Sequence, residues 1–496
     1  MINIRRFVIA LLLTLALGAK VGTAMQSSEQ SPPNFVIIVT DDQGYADLSA
    51  FQHRAPDIHT PNMDRLAARG VLFTSAYATA AVCSPSRAGW NAGRHQVRWD
   101  PKSSFNCGLP NGTPTLAQML KDHGYTTAKI GKNDYGGKSL HRSDVYAHPL
   151  KHGYDEFLGF SAHGHDFFLL SQAIQDRTPD PKGHSAVVGP LMHNRGIKEF
   201  KDGYLTEVFT DAAIEFVERN REKPFFLALS YNSVHHLIHQ SPKRYLDKFG
   251  VKEIPNYDPD KDGNYADWFK RFITLREISA EEMRKYYLAN LSCLDDNIGR
   301  VLDSLDDLRL ADNTVVIFFS DNGGAPTNGA WNLPLAGAKF SLWEGGIRVP
   351  FILSRPGDPH AGETWHHPIS TLDVVPTCLD AAGFELPEAI DGRPIPKSES
   401  DFGALRNLFW RWGAESYAVR SGDWKLLHKG SFSNRKPTAG IINRKNLSTG
   451  TRLFDLREDI SESRDMADEH PEIVQRLQEL YADWSKDVAG GKRGAK

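Results

Sequence analysis

The chain has 496 residues, of which 24% are charged, with a formal net charge of −3. That length exceeds one typical domain and is enough to bury a large core, so one big domain and one smaller one are expected. The mildly acidic balance argues against a nucleic-acid partner, whose phosphates would select a basic face, so any polyanionic substrate must meet a local basic pocket.

In chain order, Met1-Ile2-Asn3-Ile4-Arg5-Arg6 precedes an apolar run from Phe7 to Leu17, too short to span a bilayer but long enough for a signal-peptide core, with small residues at Gly22-Thr23-Ala24 for cleavage. Residues 1–24 are read as a signal peptide. Their loss removes Arg5, Arg6 and Lys20 and takes the charge from −3 to −6. A periplasmic or secreted protein is expected, and no later segment is apolar for long enough to cross a membrane.

The first strand is Phe35-Val36-Ile37-Ile38-Val39, ending in Thr40-Asp41-Asp42. Thr60-Pro61 reads as an N-cap with proline at the first helical position, and Gly70 as the stop. Ser84–Gly89 opens a helix just after Cys83, with Arg87 one turn on. Thr126–Ile130 is a strand ending in Gly131-Lys132-Asn133-Asp134. The segment Ala162 to Gly203 is rich in His, Phe and Tyr and could form a sugar-stacking wall. Tyr204–Asn220 has apolar residues at helical spacing, and so does Tyr287–Leu308. Phe225–Ser230 leads to Tyr231-Asn232-Ser233-Val234-His235-His236, and Thr314–Phe319 to Ser320-Asp321-Asn322-Gly323-Gly324. Runs apolar on both faces, separated by helices, predict an α/β fold in which a mostly parallel sheet is sandwiched by helices, with ligands outside the carboxyl ends of the strands. After residue 400 the pattern changes to Tyr417–Arg420, Trp424–Leu427 and Leu453–Leu456, then a helix near Pro471–Trp484. The expected organisation is a catalytic domain over 33–400, a smaller α+β subdomain over 401–488 and a disordered tail over 489–496.

Asp41-Asp42 and Asp321-Asn322 are hard oxygen donors at two strand ends, suited to one divalent cation, calcium or magnesium. Lys132 and Lys339 lie in glycine-rich strand ends, a place that favours a site role over that of an ordinary solvated lysine. Of the four cysteines, at 83, 107, 293 and 378, none has the spacing of a zinc site.

The stretch Cys83-Ser84-Pro85-Ser86-Arg87 through Gly93-Arg94 resembles the signature of the formylglycine-dependent sulfatases, within the alkaline-phosphatase-like superfamily. The resemblance runs from about Asn34 to Ala467. It includes Pro224–Leu227, Asp296-Asn297-Ile298-Gly299-Arg300, Ser320–Gly324, Pro334–Lys339 and Glu344–Phe351. It implies that Cys83 is converted to formylglycine by a formylglycine-generating or anaerobic sulfatase-maturating enzyme, and that the aldehyde hydrate supplies the nucleophile. By the same resemblance Asp41, Asp42, Asp321, Asn322 and residue 83 would hold calcium. Arg87 would brace the nucleophile, Lys132 and Lys339 would grip sulfate, and His235, with His236 as the alternative, would act as general acid. At most one disulfide then remains among Cys107, Cys293 and Cys378.

Two positions depart from the family pattern. Leu237 stands where a proline usually follows the histidine. Gly131-Lys132-Asn133-Asp134-Tyr135-Gly136 stands where Gly-Lys-Trp-His-Leu-Gly is common, so Asp134 takes the place of a histidine that contacts the nucleophile and its sulfate. A carboxylate there would repel sulfate unless protonated or paired. Two accounts stand open: Asp134 itself serves as the base that releases sulfate, or a histidine enters from elsewhere, with His141, His148, His152, His163, His165, His184 and His193 as candidates. The function expected is hydrolysis of sulfate esters on a polysaccharide or its oligosaccharides. An arylsulfatase or phosphonate monoester hydrolase would share the catalytic residues, and a binder of sulfated glycan that keeps Cys83 as a thiol is the alternative of another class.

Overall fold

The computed structural model describes residues 32–103, 107–134, 148–169, 186–187, 191–198, 200, 202–272, 278–325, 327–403, 406–430, 440–442 and 449–490. The signal peptide expected over 1–24, His141, His184 and the tail beyond Gly490 lie outside the described residues.

In chain order the strands are β1 Asn34–Thr40, β2 Val71–Tyr77, β3 Thr126–Lys132, β4 Glu156–Phe160, β5 Gly164–His165, β6 Ala186–Val187, β7 Leu191–His193, β8 Gly196–Lys198 and β9 Phe225–Ser230. They continue with β10 Thr314–Ser320, β11 Arg348–Ser354, β12 Thr364–Trp365, β13 Ile369–Ser370, β14 Asn407–Trp412, β15 Ser416–Ser421, β16 Trp424–His428 and β17 Thr451–Asp455. An 11-stranded sheet runs β12-β2-β11-β10-β1-β9-β3-β4-β7-β8, with β13 beside β2. Its centre, β10-β1-β9-β3-β4, is wholly parallel, and β11 makes antiparallel pairs with β10 and β2.

The reason for this layering is visible in β1. Val36 and Ile38 pack on one face with Leu66, Phe209, Phe216 and Leu294, while Phe35, Ile37 and Val39 pack on the other with Trp90, Leu116, Val375 and Leu379. Each fully buried aliphatic or aromatic side chain contributes roughly 1.5–3 kcal/mol, so a strand apolar on both faces is stable only between two helical layers. Helices Pro61–Ala68, Leu205–Asn220 and Ala280–Asp307 cover the first face, and Leu116–Asp122 and Val374–Ala381 the second.

The second sheet, β14-β15-β16-β17, is antiparallel. One face joins Tyr77, Trp343 and Ile347 through Trp410, Leu427 and Phe454, and the other packs Val419, Leu426 and Leu453 on Leu477 of helix Pro471–Ala489. A buried ionic cluster also links the two sheets. Lys425 Nζ lies 2.8 Å from Glu344 Oε1 and 2.8 Å from Glu462 Oε1, and all three side chains are fully buried. Glu344 Oε2 accepts from Tyr77 at 2.6 Å and lies 3.3 Å from Arg348, while Arg420 donates to the Tyr77 hydroxyl.

Several expectations need correction. Strands β2, β4, β11 and β14 carry less uniform apolar runs and were not predicted. The helix expected from Tyr287 begins at Ala280, because Ser279 caps it by accepting from Glu282 N, upstream of the apolar stripe. The last helix continues through Ala489. All four cysteines are free thiols. Cys107, Cys293 and Cys378 sit in three separate hydrophobic clusters, so no disulfide joins them.

Candidate active site

The five parallel central strands end along one edge of the sheet, and each delivers polar residues there. Asp321 and Asn322 follow β10, Asp41 and Asp42 follow β1, His235 lies beyond β9, Lys132 ends β3 with Asp134 just after it, and His163 lies beyond β4. Cys83 opens helix Cys83–Ala92, whose N-terminal amides favour anionic charge. Lys339 comes from the loop preceding β11. Gly131 allows β3 to lie against β9: its φ is +107°, and a Cβ would come 1.9 Å from Ser230 O, so another residue there would displace Lys132. Asp42 and Asp134 hold left-handed backbone, with φ of 60° and 47°, a conformation that aspartate tolerates better than most residues.

The side chains converge tightly. Cys83 Sγ lies 3.0 Å from Lys339 Nζ, 3.5 Å from Asp41 Oδ1 and 3.9 Å from Asp42 Oδ1. Lys339 Nζ is 2.7 Å from Asp42 Oδ1, and Lys132 Nζ is 2.6 Å from Asp41 Oδ2. Arg87 Nε donates to Asp321 Oδ2 at 2.8 Å, and Asn322 Nδ2 to Asp42 Oδ1 at 2.8 Å. His235 Nε2 stands 3.6 Å from Asp42 Oδ2, and its ring lies against His236 at 3.7 Å between centroids. Asp134 is bracketed by Lys132 Nζ at 3.3 Å and His163 Nδ1 at 2.7 Å.

Burial sets the electrostatics. It pushes the Asp41 carboxyl up, against the pull of Lys132 and with the push of Asp321. It also raises the Cys83 thiol well above its ordinary range despite Lys132 and Lys339, so an unmodified Cys83 is a protonated, poorly nucleophilic thiol. His235 is depressed well below the usual range by burial first, with His236, Lys339 and Lys132 acting in the same direction. For Asp134 burial acts upward, but His163 and Lys132 outweigh it and hold the carboxyl below the usual range.

The structure thus brings together every site residue expected from the sequence: Asp41, Asp42, Cys83, Arg87, Lys132, Asp134, His235, Asp321, Asn322 and Lys339. Arg87 reaches the cluster through Asp321 and through Lys132 O at 3.4 Å. Of the open histidine candidates it is His163 that meets Asp134. Reading Glu156-Phe157-Leu158-Gly159-Phe160 as a strand would have marked His163 as another strand-end residue. The aromatic wall expected over 162–203 is not borne out where it is described: Phe167 is buried against Tyr204, and Phe168 and Phe200 pack half-buried on the same core. The rings beside the histidines come from helix Tyr265–Phe272 instead, Phe269 lying edge-on to His236 at 5.2 Å and Trp268 near His239 at 6.1 Å.

The sulfatase family profile matches residues 33–384. The chain therefore belongs to the sulfatase family, whose members are sulfuric ester hydrolases of the alkaline-phosphatase-like fold. Among its relatives, human N-acetylgalactosamine-6-sulfatase is 30% identical over 474 residues, covering 86% of this chain and 79% of that protein. Human steryl-sulfatase is 31% identical over 472 residues, covering 80% and 75%. The crystal structure of Ps i-CgsB in complex with k-i-k-neocarrahexaose matches with a TM-score of 0.73 at 27% identity, covering 94% of this chain and 95% of that one.

Sulfatases of this family generally work with a formylglycine and a divalent cation, and the residues present fit both. Donor atoms of Asp41, Asp42, Cys83 and His235 all lie within 4.8 Å of one another. Asn322 Oδ1 is buried with no hydrogen-bond partner among the described residues, as a donor meant for a cation would be. Asp41, Asp42, Asp134 and Asp321 exceed Arg87, Lys132 and Lys339 by one formal negative charge, so a divalent cation would leave the pocket at a net charge of +1, matched to a sulfate.

Proposed function

We propose that this protein is an exported carbohydrate sulfatase that removes sulfate from a sulfated polysaccharide or its oligosaccharides, with calcium as its cation and Cys83 matured to formylglycine. The observation that carries the reading is the placement of buried Cys83 at a helix N-terminus, 3.0 Å from Lys339 and within reach of Asp41 and Asp42. The carbohydrate class is supported by relatives that carry such names, among them N-acetylgalactosamine-6-sulfatase, and by the neocarrahexaose bound to Ps i-CgsB. Export rests on the signal-peptide pattern of residues 1–24. Among the described residues no helix is long and apolar enough to cross a membrane.

When present, formylglycine supplies a hydroxyl nucleophile and the cation polarises the sulfate ester and neutralises its developing charge. Asp41, Asp42, Asp321 and Asn322 would hold the ion. Lys132 and Lys339 offer fixed ammonium groups to the sulfate oxygens, an arrangement that favours the transition state because the charges are already oriented. Arg87 holds Asp321 in place through its Nε–H. His235, with His236 against it as the alternative, is placed to deliver the proton that the departing sugar oxygen must receive.

The test is release of free sulfate from a panel of sulfated algal and animal polysaccharides and their oligosaccharides. The protein is co-produced with a formylglycine-generating enzyme, and Cys83→Ala serves as the blank. Release above that blank from a glycan is the expected result. A Cys83 peptide shown by mass spectrometry to carry the aldehyde, with no release from any glycan but turnover of aryl sulfates or phosphonates, would refute the carbohydrate reading.

A further inference from the structure

Strands β3 and β4 run side by side in parallel, with Lys132 opposite Phe160, and Asn133 N donates to Phe160 O at 2.8 Å. Both segments therefore leave the sheet at one level, and the residue two beyond Lys132 meets the residue three beyond Phe160. There His163 Nδ1 lies 2.7 Å from Asp134 Oδ1, while Asp134 Oδ2 lies 3.3 Å from Lys132 Nζ. The Asp134 side chain is 2% exposed and that of His163 is 20% exposed.

We propose that His163 is a further catalytic residue, the proton-accepting imidazole of the sulfate pocket, and that Asp134 acts through it as a positioning residue. The proposal rests on the sulfatase reading above. A carboxylate that accepts an N–H from Nδ1 fixes the tautomer of a neutral imidazole and leaves Nε2 as its basic nitrogen. The same pairing removes the objection to a carboxylate near sulfate, because Asp134 is matched to Lys132 and His163 rather than turned bare toward an anion. Asp134 itself is ill suited to be the base, since burial acts upward but His163 and Lys132 outweigh it and hold the carboxyl below the usual range, which makes it a weak proton acceptor. A base must also return its proton to water in each cycle, which a ring with a fifth of its side-chain surface exposed can do and a carboxyl at 2% cannot. The residue after His163 lies against the histidines beyond β9, since a Cβ on Gly164 would come 3.0 Å from His235 Nδ1 and 2.9 Å from His236 Nε2, so His163 enters the pocket that His235 lines. With the nucleophile in place, the O–H bond of the attacking hydroxyl would break as an N–H bond forms at His163 Nε2. Its oxygen would bond to sulfur as the bond from sulfur to the sugar oxygen breaks, and that sugar oxygen would take its proton from the His235 side. The proton on His163 then passes to water, while Nδ1–H stays with Asp134.

Two measurements test this. In Cys83→Ala protein, which needs no maturation, histidine-ring nitrogen NMR should show neutral His163 protonated at Nδ1, and Asp134→Asn should abolish that preference. In matured enzyme, His163→Ala should lower kcat on the order of 100- to 10,000-fold and remove the acid limb of its pH profile, with part of the activity restored by imidazole in the buffer. Asp134→Asn should lose less and displace that limb. A His163→Ala enzyme within about threefold of the unaltered one, or one whose loss is indifferent to added imidazole, overturns the proposal. So does a neutral His163 protonated at Nε2. Sulfate release by the unaltered enzyme, followed in parallel, reports on the underlying function separately from the role of His163.

Discussion

Replacing Lys425 by methionine should destabilise the protein by about 3–5 kcal/mol near neutral pH, the usual cost of removing one partner from a buried ion pair. The size follows from the geometry. The ammonium is 2.8 Å from both Glu344 Oε1 and Glu462 Oε1, with all three side chains fully buried. Glu344 keeps Arg348 and the Tyr77 hydroxyl after the substitution. Glu462 loses Lys425, the ammonium that pulls its pKa down, and keeps the Glu344 backbone N–H at 2.7 Å. Its carboxyl is already pushed up to about 7 by burial, against Lys425 and with Glu344. Without the ammonium it should take up a proton instead of remaining charged. The cost should therefore be smaller at acidic pH and grow as pH rises through neutrality. Chemical denaturation of the unaltered protein, Lys425→Met, Glu462→Gln and the double variant at two pH values completes a double-mutant cycle. The double variant should recover at least half of the loss. A single-variant cost under about 1 kcal/mol, or no recovery in the double variant, would refute the view that this cluster fastens the two sheets as a charged unit.

Two other outcomes follow from buried acids. Asp166 accepts from Gln240 Nε2 at 3.1 Å, and burial pushes its carboxyl up from 3.8 to about 7; the folded state then binds a proton that the unfolded chain releases, so its stabilising contribution is complete below the unfolded pKa and lost as pH rises through about 7. Thermal unfolding across that range should show a steeper decline for the unaltered protein than for Asp166→Asn, amounting to a few kcal/mol; parallel curves would contradict the assignment. Calcium should raise the melting temperature of Cys83→Ala protein over a chelator control, by a stabilisation of about 2.7 kcal/mol at a hundredfold excess over Kd. Asp42→Asn should abolish the effect, and an unchanged melting curve in calcium would count against Asp42 as a ligand.

Much of the central sheet was legible because β1, β9 and β10 are apolar on both faces, a pattern that only burial between two helical layers satisfies. The strands missed were those whose apolar runs are interrupted. Thr74 and Ser75 break β2, and Arg348 and Pro350 break β11, yet both strands complete the sheet through backbone pairing that does not depend on side-chain type. The start of helix Ala280–Asp307 was hidden because its first two turns carry Glu281, Glu282, Arg284 and Lys285, and the Ser279 cap rather than apolar spacing sets the boundary.

By itself the sequence determined which residues stand at the centre. Cys83 with its signature, the carboxylates and amide at two strand ends and the two lysines at glycine-rich strand ends are local patterns, readable before the fold is known, whose residue types suit a hard cation and an oxyanion. Tertiary structure alone decided which side chains share charge across the pocket. The Asp134–His163 pair depends on the register of β3 against β4. The rings beside His236 and His239 come from helix Tyr265–Phe272, distant in sequence from both the signature and the histidines' strand. The physical reason is that periodicity and turn chemistry act over a few residues, whereas a pair such as Asp134 and His163 exists only once neighbouring strands have fixed the level at which each chain leaves the sheet.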